Sequence, residues 1–241
     1  MWPFTPSCPV TPEEQAWIEE SSDWLVGEFG SEPLRRPPVL PERTFFPADY
    51  TADESSIAAV FDRVRQHLGV PADRIVLEYE PEELDPELLA TVPLAFESNG
   101  AAGHWSRRDG RTVITVRLDQ ARQPISLVAT LAHELAHERL LGEDRIDPER
   151  RDGEPLTDLT TIFFGFGIFS ANAAFEFSSS PSGWRTSSLG YLTERAYGYA
   201  LAYWSWSRGE VRPAPWTRHL DTNPRTWMKQ GLRYLGERRR G

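Results

Sequence analysis

Residues 131–138 read Leu131-Ala132-His133-Glu134-Leu135-Ala136-His137-Glu138. On an α-helix, residues four apart stand about 40° apart around the axis and roughly 6 Å apart along it. His133 and His137 therefore project from one face within reach of one ion, with Glu134 beside that face. Two neutral imidazoles suit a borderline-soft dication such as Zn2+, and a neighbouring carboxylate can take a proton from water. The flanks favour a helix, because Pro124 stands where a first-turn proline is tolerated and Gly142 where a helix stops. With 5 histidines in 241 residues, the His-Glu-x-x-His pattern of zinc peptidases is expected by chance on the order of 0.01 times. The bland alternative is a solvated pair of histidines on a helix surface.

A catalytic zinc needs a third protein ligand and an open position for water. No third histidine follows at short spacing. Beyond a charged loop, Glu143 to Gly153, the next carboxylate pair backed by an apolar helix is in Glu154-Pro155-Leu156-Thr157-Asp158. Glu154 and Asp158 are again four apart, so one can bind the metal while the other accepts a hydrogen bond from a ligand histidine. Pro155 biases Glu154 away from helical angles and toward the helix lip, which leaves Asp158, and behind it Asp152, as rival ligands. The stretch from Leu156 to Phe177 is apolar, punctuated by Gly165 and Gly167, and reads as a buried core helix and not a membrane span. A weaker alternative is that Thr161 to Phe177 docks on a membrane. A Ser/Pro/Gly loop at 178–187 precedes an aromatic helix over Tyr191 to Arg208, and a last helix covers Pro224 to Leu235.

Upstream, Thr11, Pro12 and Glu14 form a cap, a first-turn proline and a capping box for a helix carrying Trp17, Ile18, Trp24 and Leu25. Five prolines between 30 and 50 predict an extended surface arm. Thr51 and Glu54 repeat the capping-box spacing ahead of the stripe Ile57, Val60, Phe61, Val64 and Leu68. Ile75 to Glu80 alternates as a strand, and Pro81 to Pro86 is acidic and turn-like. His104–Arg107 and Thr112–Arg117 flank Arg108-Asp109-Gly110-Arg111, a strong hairpin signal.

The predicted fold is α+β in one domain, 1–241. Residues 1–50 form an N-terminal helix and Pro-rich arm, 51–142 a helix, small sheet and His helix, and 143–241 a helical part with the third ligand. A net charge of -10 argues against a nucleic-acid partner, which needs a basic excess to displace counterions. The one cysteine, Cys8, excludes a disulfide framework and a Cys-rich zinc module. With no visible signal peptide, a cytoplasmic protein is expected.

His133-Glu134-x-x-His137 followed by Glu154-x-x-x-Asp158 resembles the gluzincin clan of zinc metallopeptidases. Ala102-Gly103-His104-Trp105 with the hairpin resembles the sheet that precedes the zinc helix in small zincins, so the resemblance covers roughly residues 100–178. It implies a zincin-like fold, Zn2+ held by His133, His137 and Glu154, Asp158 supporting the first histidine, and Glu134 as general base for hydrolysis of a peptide or protein substrate. Tyr191, Tyr197, Tyr199 and His104 are candidates to stabilise the oxyanion, with core packing the competing role for the tyrosines. The nearest enzyme alternative is a regulatory protease of the ImmA/IrrE type. The alternative from another class is a binding or scaffolding protein with a catalytically silent zinc. The oligomeric state is not legible.

Overall fold

The computed structural model describes residues 6–80, 103–108, 110–179 and 192–238. Over these the chain is a mixed α+β protein, mostly helical, with one three-stranded sheet. Helix α1 (Pro12–Phe29) begins as its sequence predicts. Thr11 Oγ1 accepts the Glu14 N–H, the Glu14 carboxylate accepts the Thr11 N–H, and the stripe Ile18, Ser21, Leu25 is buried.

The Pro-rich segment departs from a free surface arm. It contains one helical turn, α2 (Glu32–Arg35), and then runs inward, where the Val39 N–H donates to the Gly165 carbonyl and the Phe45 ring packs on Phe166 and Phe169. Its aromatic residues outweigh its prolines, because burying a phenyl ring is worth more than the arm loses in backbone freedom. Helix α3 (Glu54–Leu68) is capped by Asp53, whose carboxylate accepts the Ser56 N–H at 2.8 Å, and not by Thr51. Thr51 instead donates its own N–H to Ser56 Oγ.

Strand β1 (Ile75–Glu80) pairs in parallel with β3 (Arg111–Arg117), and β2 (Gly103–Arg108) pairs antiparallel on β3's other side. The order β1-β3-β2 leaves β3 central and β2 at an edge. The hairpin signal is met, with Gly110 at φ +77° in the turn. Gly103, Trp105, Thr112, Ile114 and Val116 share the inner face, because side chains alternate along a strand and paired residues point the same way.

That face meets α4 (Pro124–His137), the central helix, in which Leu127, Val128, Leu131, Ala132, Leu135 and Ala136 are wholly buried. The helix widens into a π-turn over Glu138–Gly142. The apolar stretch that follows is two helices and not one, α5 (Gly153–Phe163) and α6 (Gly167–Ser179). Gly165 at φ +91° makes the break, a backbone conformation that a side chain would strain. Phe163, Phe164, Phe166, Ile168 and Phe169 are buried, so the first half of the segment turns its large apolar side chains inward. Helices α7 (Glu194–Ser207) and α8 (Thr222–Arg238) follow, so the described residues hold four helices after α4 where three were expected. Apart from Val113, the buried apolar side chains from Val10 to Leu235 form one connected cluster. No helix among the described residues is long and apolar enough to cross a membrane. The acidic turn at 81–86, most of the loop at 178–187 and Tyr191 lie outside the described residues.

Candidate metal centre

His133 and His137 sit one turn apart at the end of α4, their rings 4.8 Å apart and edge-to-face. Helix α5 starts at Gly153, so Glu154 and Pro155 both fall in its first turn, where a proline's missing N–H has no intrahelical partner to lose. From that turn Glu154 Oε2 lies 3.1 Å from His133 Nε2 and 3.5 Å from His137 Nε2. One donor atom from each of the three residues falls within 4.8 Å of the others. Ligand atoms about 2.0–2.1 Å from a tetrahedral ion stand about 3.3 Å from one another. The two measured separations bracket that value, and the N,N,O donor set is one that zinc accepts.

Asp158, one turn further along α5, is on the far side of the His133 ring. Its Oδ1 accepts the Nδ1–H of His133 at 3.0 Å and its Oδ2 accepts the Leu192 N–H at 3.1 Å. Both oxygens are thus engaged away from the donor cluster, which separates Asp158 from Glu154 by position. Asp152 is also turned away. Arg150 grips it with two hydrogen bonds and the Trp17 indole donates to it at 2.7 Å, and the arginine holds its pKa down at about 2.

His137 has its own outer partner. Thr157 Oγ1 lies 3.3 Å from His137 Nδ1 and donates to the Gly153 carbonyl at 2.9 Å. Burial works against charge on the His133 ring, but hydrogen bonds to Asp158 and Glu154 outweigh it and raise its pKa well above an ordinary imidazole's. Burial likewise pushes the Glu154 pKa up, and the two histidines overcome it and hold the carboxyl well below the usual range.

Glu134 is buried on α4 beside His133. Strand β2 closes the site on that side. A Cβ on Gly103 would stand 2.6 Å from Thr130 Cγ2 and 3.3 Å from Glu134 Cγ, so only glycine lets the strand approach α4 this closely. Two residues on, the Trp105 ring lies 6.3 Å from that of His137, and its indole N–H is buried without a partner. The two histidine side chains are 14% and 13% exposed and Glu154 is 39% exposed, so solvent reaches the cluster past the carboxylate.

The oxyanion candidates divide. Tyr199 is wholly buried and donates to Glu19 on α1, and His104 faces the side of the sheet away from α4. Neither joins the cluster. Tyr197 is buried in α7, whose entry is tied to Asp158 through Leu192. Sequence reasoning missed Thr157, although a hydroxyl one turn after Gly153 and next to Asp158 was a signal in plain view. No protein family, curated protein or solved structure matches this chain.

Proposed function

We propose that the chain is a zinc-dependent peptidase of gluzincin-like character in a single zincin-like domain, with His133, His137 and Glu154 as metal ligands and Glu134 as general base. The observation that carries it is the convergence of three donor atoms within 4.8 Å, with Glu134 adjacent to the first ligand on the same helix. A zinc ion in that donor set supplies Lewis acidity toward water and toward a peptide carbonyl. Glu134 takes the proton released as water forms the new C–O bond and returns it to the amine as the C–N bond breaks. Asp158 holds the His133 ring in place by its Nδ1–H.

The donor count favours catalysis over a silent structural zinc. Structural sites close with four protein ligands, whereas among the described residues the cluster has three, with solvent at the Glu154 side. Strand β2 lies at the sheet edge beside the cluster, where its outer N–H and C=O groups suit pairing with an extended peptide. The single cysteine fits a reducing compartment such as the cytoplasm.

The test is elemental analysis together with hydrolysis of a quenched-fluorescent peptide library. About one zinc per chain is expected in the parent and in Glu134→Gln, with loss in His133→Ala and Glu154→Ala. Cleavage should vanish in all three variants. Metal retained by Glu154→Ala, or cleavage retained by Glu134→Gln, would overturn the assignment.

A further inference from the structure

If the zinc site proposed above is present, each histidine must turn an unprotonated Nε2 toward the ion, and so carry its proton on Nδ1, where it needs an acceptor. For His133 that acceptor is Asp158. For His137 the group facing Nδ1 is the Thr157 hydroxyl, which is able either to give or to take a hydrogen bond. The proton count decides between the two. Thr157 has one hydroxyl hydrogen, and 2.9 Å away lies the Gly153 carbonyl, a group that only accepts. Donation back to the carbonyl four residues earlier is the usual habit of a threonine in a helix, and this contact is shorter than the 3.3 Å to His137. The lone pairs of Oγ1 are then left facing the ring. Thr157 is wholly buried, so bulk water does not supply an alternative acceptor.

We propose that Thr157 is a positioning residue whose hydroxyl, oriented by the Gly153 carbonyl, accepts the Nδ1–H of His137 and sets that ring's tautomer with Nε2 toward Glu154. The consecutive pair Thr157-Asp158 then presets both imidazoles. One helix, α5, supplies a ligand and the outer partner of each of the other two, so the rings are arranged before any metal arrives.

The experiment compares zinc dissociation constants, by chelator competition, for the parent, Thr157→Val and Thr157→Ser, and reads histidine tautomers by 15N NMR of the metal-free parent. Valine keeps the shape and removes the hydroxyl, while serine restores it. Zinc binding should weaken about 10- to 100-fold in the valine variant and return to within roughly threefold of the parent in the serine variant. In the metal-free parent the His137 Nδ1 should carry a proton, whether or not Nε2 also carries one toward Glu154.

A threonine needed only for packing would shift the unfolding midpoint and leave the zinc affinity of the folded protein alone. Equal affinities for parent and valine variant, or a His137 Nδ1 without a proton in the metal-free parent, would overturn the proposal. A parent that binds no zinc sinks the zinc site instead, and the tautomer still tests Thr157. Should the valine variant fail to fold, the serine variant and the parent's tautomer decide.

Discussion

Two helix contacts in this molecule are made from similar ingredients and come to different ends. Between α1 and α7, Glu19 and Asp23, four residues apart, meet Tyr199 and Tyr203, also four apart. Tyr199 donates to Glu19 at 2.5 Å and Tyr203 to Asp23 at 3.1 Å, so each phenol takes one carboxylate. Burial first, and then the facing carboxylates, push both phenol pKa values upward, and the hydroxyls stay protonated donors. Between α4 and α5, by contrast, one carboxylate, Glu154, faces two imidazoles, and those rings find their outer partners elsewhere, on Asp158 and Thr157. Each phenol faces a single carboxylate, and Glu19 is further occupied by Gln15 and Arg238, so this contact consumes its donors and acceptors and makes a structural joint. Two rings on one carboxylate leave donor atoms converging on a common point, which is what a cation needs.

Removing one polar group from each joint gives the strongest test of that contrast. Asp158→Ala strands two buried donors, the His133 Nδ1–H and the Leu192 N–H. It should cost about 2–4 kcal/mol in urea denaturation and weaken zinc binding about 10- to 100-fold. Next in size is Gly103→Ala, which sets a methyl 2.6 Å from Thr130 Cγ2 and should destabilise by about 1–3 kcal/mol through overpacking between β2 and α4. A neutral outcome there would mean that the strand need not sit so near the centre. Tyr199→Phe removes a hydrogen bond to a charged acceptor in the consumed joint, at about 1–2 kcal/mol, and should leave zinc affinity untouched. If it weakened zinc binding as Asp158→Ala does, the two joints would not be separate kinds.

Much of this was legible from spacing alone. Local signals at Thr11 and Glu14, at the Ile57-to-Leu68 stripe and around Gly110 report what their own backbone does, and the elements form there. The pairs His133/His137 and Glu154/Asp158 were legible because four-residue spacing fixes which side of a helix a residue takes. What spacing does not encode is how one helix is rotated against another. It could not tell Glu154 from Asp158, since both face α4 and only the rotation of α5 decides which meets Nε2 and which meets Nδ1. For the same reason Tyr199 looked like a site residue until α1 was seen to occupy its hydroxyl. The Pro-rich arm misled because proline reports local backbone, while the burial of Val39 and the ring contacts of Phe45 depend on the remote break at Gly165.

A third fate for a buried polar atom is to have no hydrogen-bond partner, and Nε2 of His67 supplies the case, although the same ring hydrogen-bonds the Phe164 backbone. Its Nε2 is buried without a hydrogen bond, its ring packs edge-on against Phe166 at 5.1 Å, and Arg36 stands nearby. Burial first, and then the Arg36 charge, lower its pKa below the 6.5 of a free imidazole. The sign follows from proton counting. Below that free value the unfolded chain binds a proton at this position that the folded protein resists, so acid favours unfolding. The stability is fully present above 6.5 and is lost as the pH falls from there through the lowered folded-state value. His133 in the metal-free protein has the opposite sign, because its pKa is raised by Asp158 and Glu154. The measurement is therefore a difference, the urea-denaturation free energy of the parent minus that of His67→Phe, followed from about pH 7.5 down to about pH 5. That difference should shrink with acid, the smallest effect in this series. A flat difference would mean that the unpartnered nitrogen finds a proton acceptor in solution, and that His67 resembles His133 more than its burial suggests.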